Sequence, residues 1–167
     1  MKASFNVFCL VISLLIGFSF AQDRPAWQML ELTNAVTGEP FTLGGFEGQT
    51  VYVEPMATWC SNCRKQLSNV TAAKAELGET SNVVFVAVSV EGNLPNETLA
   101  AYAEKEGFDL TFAVATPDLL KALIETFDRS IASPPSTPHF VIQPDGSFSD
   151  LSTGIHSTEE ILALLGY

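Results

Sequence analysis

Two thiols stand three residues apart in the stretch Ala57-Thr58-Trp59-Cys60-Ser61-Asn62-Cys63-Arg64-Lys65. Side chains at that spacing meet across one helical turn, and two thiols in reach of each other have three uses: a soft metal clip, a structural bridge or a reversible disulfide. The pair follows an apolar run and precedes a helical pattern, so Cys60 falls at a helix N-terminus. Unpaired backbone N–H groups and the helix dipole stabilise a thiolate there, which makes Cys60 the candidate nucleophile. Cys63, one turn further on and facing back, suits the resolving role: it attacks a mixed disulfide on Cys60 and frees the substrate. Arg64 and Lys65 add positive charge within the first turn. That attack requires Cys63 to lose a proton, and Glu54, six residues before Cys60 at the end of an otherwise apolar strand, is the candidate relay. Burial there would raise its pKa toward the range useful for proton transfer.

The elements that must position this pair are legible as patterns. Thr50-Val51-Tyr52-Val53-Glu54 is β-rich and is expected to stop at Pro55, which cannot donate to a ladder. From Ser61 to Leu77, Leu67, Val70, Ala73 and Leu77 recur at helical spacing, and Gly78 follows as a stop. Val83 to Val90 is apolar almost throughout, the mark of a strand covered on both faces. Next come an expected helix from Asn96 to Glu106, a short strand from Leu110 to Ala115 and a helix from Pro117 to Phe127. The loop Ser133-Pro134-Pro135-Ser136-Thr137-Pro138 is too proline-rich for regular structure. A hairpin is expected where His139–Gln143 and Ser147–Leu151 flank Pro144-Asp145-Gly146. The capping box Ser157-Thr158-Glu159-Glu160 opens a last helix. Upstream, Phe41-Thr42-Leu43 reads as a short strand and residues 22–40 as an extended arm in which Trp27 has no assigned role. Strands alternating with helices and closed by an antiparallel hairpin imply an α/β domain, a central mixed β-sheet flanked by helices.

Composition narrows the setting. Residues 1–21 carry Lys2, an apolar run from Val7 to Phe20 and small residues ahead of Gln22, the pattern of a signal peptide cleaved after Ala21, with an uncleaved anchor as the alternative. The chain is therefore expected to be exported, with residues 41–167 as one domain large enough to bury a core without staples. A formal charge of −11 argues against nucleic acid or an anionic membrane surface as partner. Cys9 leaves with the signal, so the exported chain holds only Cys60 and Cys63, which is no disulfide scaffold.

Trp59-Cys60-Ser61-Asn62-Cys63, led by Ala57-Thr58 and followed by Arg64, resembles the active site of the thioredoxin superfamily, and most nearly the exported TlpA-like and ResA-like thiol-disulfide oxidoreductases. The resemblance runs from about Phe41 onward. It implies a thioredoxin-like fold with an extra N-terminal strand region and an inserted helix between the central strands. Thr137-Pro138 resembles the family's cis-proline loop, which implies that these two residues, with Trp59, hold the substrate backbone beside the thiols. Glu54 falls where thioredoxins carry a buried acid. By the same resemblance the cofactor is none beyond the redox-active disulfide Cys60–Cys63. The partners are protein disulfide substrates and a membrane thiol-disulfide electron donor, and the place is the bacterial periplasm or the outer face of the cytoplasmic membrane. The implied clients are apocytochrome c or copper-centre assembly proteins. The sequence departs from the pattern at Pro55-Met56, where aromatic residues are usual, at Ser61-Asn62, which lacks the common proline, and at Gln66, where ResA-like members often have glutamate.

The main rival is a metallochaperone resembling the Sco-like copper proteins, with Cys60, Cys63 and His139 as ligands. Their cysteines are usually more widely spaced. His156, in the loop before the last helix, reads as exposed. A peroxidase reading is weak because Thr58 precedes Cys60 by two residues rather than three. A binding module with a merely structural bridge is disfavoured by the exposed position expected of Cys60.

Overall fold

The computed structural model describes residues 24–167, and the expected signal segment at residues 1–21 lies outside them. In chain order the strands are β1 (Glu31–Thr33), β2 (Pro40–Thr42), β3 (Thr50–Met56), β4 (Val83–Ser89), β5 (Thr111–Val114) and β6 (Phe140–Ile142). The helices are α1 (Ser61–Leu77), α2 (Asn96–Glu106), α3 (Pro117–Thr126) and α4 (Thr158–Leu164). Short 3-10 turns occupy Ala26–Met29, Leu43–Gly45, Arg129–Ala132 and Pro134–Ser136. The central sheet has the order β5-β4-β3-β6, with β3, β4 and β5 parallel and β6 antiparallel to β3. β1 and β2 form a separate antiparallel pair. Among the described residues no helix is long and apolar enough to cross a membrane.

Alternation along the strands sorts the core into two layers. Val51 and Val53 of β3, Val86 and Val88 of β4 and Phe140 and Ile142 of β6 pack with Leu119 and Leu123 of α3 and with Trp27. The other face carries Tyr52 and Met56 of β3 and Ala87 of β4. Met56 and Ala87 pack with Cys63 and Leu67 of α1 and Leu99 and Ala103 of α2, while Tyr52 packs with Val70 and Ala73 of α1 and Ile161 of α4. Glu54 lies between Tyr52 and Met56 on the strand, so its side chain faces the same helical layer.

Three expectations change. β3 does not stop at Pro55 but runs to Met56, paired through to Ser89 of β4. Pairing with β6 ends at Val53, so Pro55 sits where that edge of β3 has no ladder left to donate to, and its missing N–H costs nothing. The expected hairpin is reduced to β6 and two isolated bridges, His139↔Ser152 and Ile142↔Phe148. The reason is local: the Val141 amide donates to Ser149 Oγ at 3.0 Å, a side chain taking the place of a ladder carbonyl. Within residues 22–40, read as an extended arm, the described part is folded. Trp27 is buried and stands edge-on to Phe140 and Phe148 at centroid distances of 5.7 and 5.4 Å. Gln28 Nε2 donates to the Gly146 carbonyl at 2.8 Å.

Candidate active site

β3 and β4 are parallel, so both end at one edge of the sheet, where loops gather the groups that do chemistry. Ala57, Thr58 and Trp59 leave β3 there, and a turn from the Cys60 amide to the Ala57 carbonyl, 3.1 Å, delivers Cys60 to the N-cap of α1. Cys60 takes the place that Ser, Thr or Asp commonly fills: its Sγ accepts from the Cys63 amide at 3.1 Å. The two cysteines are joined as a disulfide, with Cα atoms 5.3 Å apart. That amide bond and the free N–H groups of the first turn are the interactions that would hold a Cys60 thiolate once the bridge is reduced.

The two sulfurs differ in access. Cys63 has no exposed surface and Cys60 keeps 4%, so Cys60 is the sulfur open to attack from solvent. That is less exposure than the sequence reading expected, because the bridge draws Cys60 into the apolar cluster of Met56, Ala57 and Cys63. Trp59, beside it in the chain, is 66% exposed. Cys63 Sγ lies 3.2 Å from the Pro134 carbonyl, and Asn62 Nδ2 donates to the Pro135 carbonyl at 2.9 Å. The proline-rich loop therefore meets α1 through Pro134 and Pro135. Thr137 and Pro138, the expected substrate-side pair, are buried. The cis bond implied by resemblance is not present: among the described residues every peptide bond is trans, and Thr137 turns the chain with φ 46° and ψ 60°.

Glu54, the expected proton relay, is sealed at 1% exposure. Neither carboxyl oxygen has a hydrogen-bond partner among the described residues, and burial pushes the pKa well above the ordinary carboxylate value. Arg64 reaches Glu106 of α2 at 3.8 Å, so its charge is shared across the α1–α2 seam, and Lys65 is exposed.

His139 sits in the core beside Tyr52 and His156. It is fully buried, its ring stacked on Tyr52 at 5.5 Å and meeting His156 edge-on at 4.4 Å. Nδ1 lies 3.0 Å from the Thr137 carbonyl and so carries the proton, while burial holds the pKa down to about 4. Among the described residues no group of three or more His, Cys, Asp or Glu is placed to hold a metal ion. His156, expected to be exposed, is half-buried against His139.

Two supporting residues escaped the sequence reading. Glu91, just past β4, accepts from the Thr58 amide at 2.6 Å, from Thr58 Oγ1 at 3.1 Å and from Ser89 Oγ at 3.2 Å, bracing the loop that presents Cys60. Its signal was available: an acid directly after a parallel strand, at the edge where the cysteines also lie. Gln66, noted only as a departure, is buried and bonds both Tyr52 Oη at 3.1 Å and the His156 amide at 2.8 Å, tying α1 to β3 and to the loop before α4.

Comparison with known proteins supplies the decisive match. The structure superposes on a thiol:disulfide interchange protein of the thioredoxin family from Chlorobium tepidum TLS with a TM-score of 0.67, covering 82% of this chain and 90% of that one at 22% identity. The fold is thioredoxin-like. StoA from Bacillus subtilis gives a TM-score of 0.62 at 14% identity over 80% of this chain and 94% of its own. The mixed oxidised and reduced form of the Mycobacterium tuberculosis protein dsbF gives 0.64 at 16% identity over 86% and 97%. In sequence, the thioredoxin-like protein YneN of Bacillus subtilis (strain 168) is 24% identical over 148 residues, 87% of this chain and 78% of that protein. No protein-family model matches the chain. On this thioredoxin-like fold, the Cys60–Cys63 disulfide stands at the start of α1.

Proposed function

We propose that the protein is an exported thiol-disulfide oxidoreductase that reduces disulfides in protein clients, with residues 1–21 as its export signal. The observation that carries this reading is the asymmetry of the pair: Cys60 caps α1 and is the cysteine that retains surface, while Cys63 is sealed one turn behind it. A client disulfide is attacked by the Cys60 thiolate, one client sulfur leaves, and Cys63 then attacks Cys60 Sγ and expels the other. Glu54 takes the Cys63 proton. Burial holds its pKa well above the ordinary carboxylate value, which makes the carboxylate a stronger base for that proton. Trp59 and Pro135, both exposed, offer the surface on which a client lies, with Thr137 and Pro138 supporting the loop from within. Recharging by a membrane thiol-disulfide donor, and clients such as apocytochrome c or copper-centre assembly proteins, extend this reading from the TlpA-like and ResA-like resemblance.

The test is trapping on a disulfide-bonded protein substrate. Cys60→Ser should abolish turnover, and Cys63→Ser should accumulate a mixed disulfide through Cys60. Normal turnover by Cys63→Ser would show that the two-thiol mechanism is wrong. The reduction potential of the pair then sets direction: near the thioredoxin value of roughly −270 mV it marks a reductant, near the DsbA value of roughly −120 mV a disulfide donor.

A further inference from the structure

To act as a base Glu54 must be free of its own proton when Cys63 gives one up, yet it is sealed and has no protein partner at either oxygen. A second buried polar atom in the same layer is also unpartnered: the hydroxyl of Tyr102. Tyr102 lies on α2 and packs against the cluster that contains Met56, Cys60 and Cys63, the cluster under which Glu54 sits. One turn along α2 is Glu106, paired with Arg64 of α1 at 3.8 Å, with side chains 19% and 56% exposed. The seam between α1 and α2 thus holds a sealed acid at its floor, an orphan hydroxyl within it and a charged pair at its solvent edge. The charges acting on Tyr102 are Glu106, Arg64, Glu54 and Glu91, and Glu54 also acts on Tyr52, whose hydroxyl accepts from Gln66. The Glu91 carboxylate is engaged by Thr58 and Ser89, so Arg64 and Glu106 mark the exit.

We infer that the Tyr102 hydroxyl passes protons between Glu54 and solvent at the Arg64–Glu106 edge, with water completing the hydrogen-bonded chain. The inference rests on the oxidoreductase reading above. In the resolving step the Cys63 thiol gives its proton to the Glu54 carboxylate. The Cys63–Cys60 bond forms, the Cys60–client bond breaks, and the electron pair leaves on the client sulfur, which is protonated from solvent. To accept that proton Glu54 must first shed the one it holds, passing it outward as Tyr102 accepts one proton and releases another. Burial and the neighbouring carboxylates push the Tyr102 pKa up to about 12, so the phenol stays neutral and acts as a conduit rather than a store.

Tyr102→Phe keeps the ring and removes the oxygen. Single-turnover oxidation of the reduced full-length protein by a disulfide-bonded peptide should slow by roughly a hundredfold at low buffer concentration, the lower end of a proton-transfer contribution. The rate should recover as imidazole is added as a mobile proton carrier, and the reduction potential should not move, since a conduit changes rates and not equilibria. Combined with Glu54→Gln it should add no further slowing. A wild-type rate in Tyr102→Phe while Glu54→Gln is slow would remove Tyr102 and leave the Glu54 relay standing. Slowing that imidazole does not relieve would reduce Tyr102 to packing and overturn the inference. If the wild-type protein exchanges no disulfide at all, the oxidoreductase reading and this inference fall together.

Discussion

At the scale of single residues, two buried titratable groups make opposite demands on pH. Glu54 has a folded pKa raised above its unfolded value, so between those values the folded state binds the extra proton and stability falls as pH rises. Glu54→Gln should therefore leave stability unchanged below about pH 4 and increase it progressively above that, by up to about 1.4 kcal/mol per pH unit, until the folded pKa is passed. Urea unfolding of both proteins across pH checks it, and parallel curves would mean that Glu54 is not desolvated. His139 has its folded pKa lowered to about 4, so the unfolded state binds more protons below the ordinary histidine value and stability falls as pH drops from about 6.5 to 4. His139→Phe keeps a ring against Tyr52 and should flatten that acid limb. The special position of Glu54 was legible because an acid on an otherwise apolar strand is rare, and the structure buries it. The place of His139 was not, because nothing local distinguishes a histidine that faces thiols from one stacked on a tyrosine from a distant strand.

At the scale of elements, helices were read more closely than strands. Ser61–Leu77 and Asn96–Glu106 have the bounds their spacing and terminal glycines suggest, since a helix satisfies its backbone within itself. β3 outran its proline and the hairpin dwindled to bridges, because a strand's limits depend on what its neighbours offer. The loop before Cys60 depends on such a remote group. Glu91→Ala removes the acceptor of both Thr58 donors, and hydrogen exchange at the Thr58 amide should quicken by about tenfold or more, matching the roughly 1.5–3 kcal/mol of a bond to a charged acceptor. Unchanged protection would mean that the turn into α1 holds the loop unaided. At α4, Ser157 accepts from the Glu160 amide and Glu160 from the Ser157 amide. Ser157→Ala should cost about 1 kcal/mol in global stability, read from the urea midpoint.

At the scale of the molecule, the segment ahead of the central sheet belongs to its core. Trp27 closes the α3 side of the sheet against Phe127, Phe140 and Phe148. Trp27→Ala should destabilise the protein by about 3–5 kcal/mol, the range for truncating a buried aromatic, and a loss below 1 kcal/mol would return the segment to the status of a peripheral arm. By itself the sequence determined whatever depends on near neighbours in the chain: the spacing of Cys60 and Cys63, their place at a helix start after a strand, the helix stops and caps, and the apolar run of β4. Those features made the thioredoxin-like fold and the thiol chemistry readable. Only the tertiary structure decided which distant groups meet the thiols. Pro134 and Pro135 reach α1, Glu91 braces the Cys60 loop, and His139 stacks on Tyr52 and meets His156 edge-on. The physical reason is that burial of apolar surface draws the layers together without direction, and which polar groups then face each other is set by how the helices and loops pack, not by a pattern within one turn of chain.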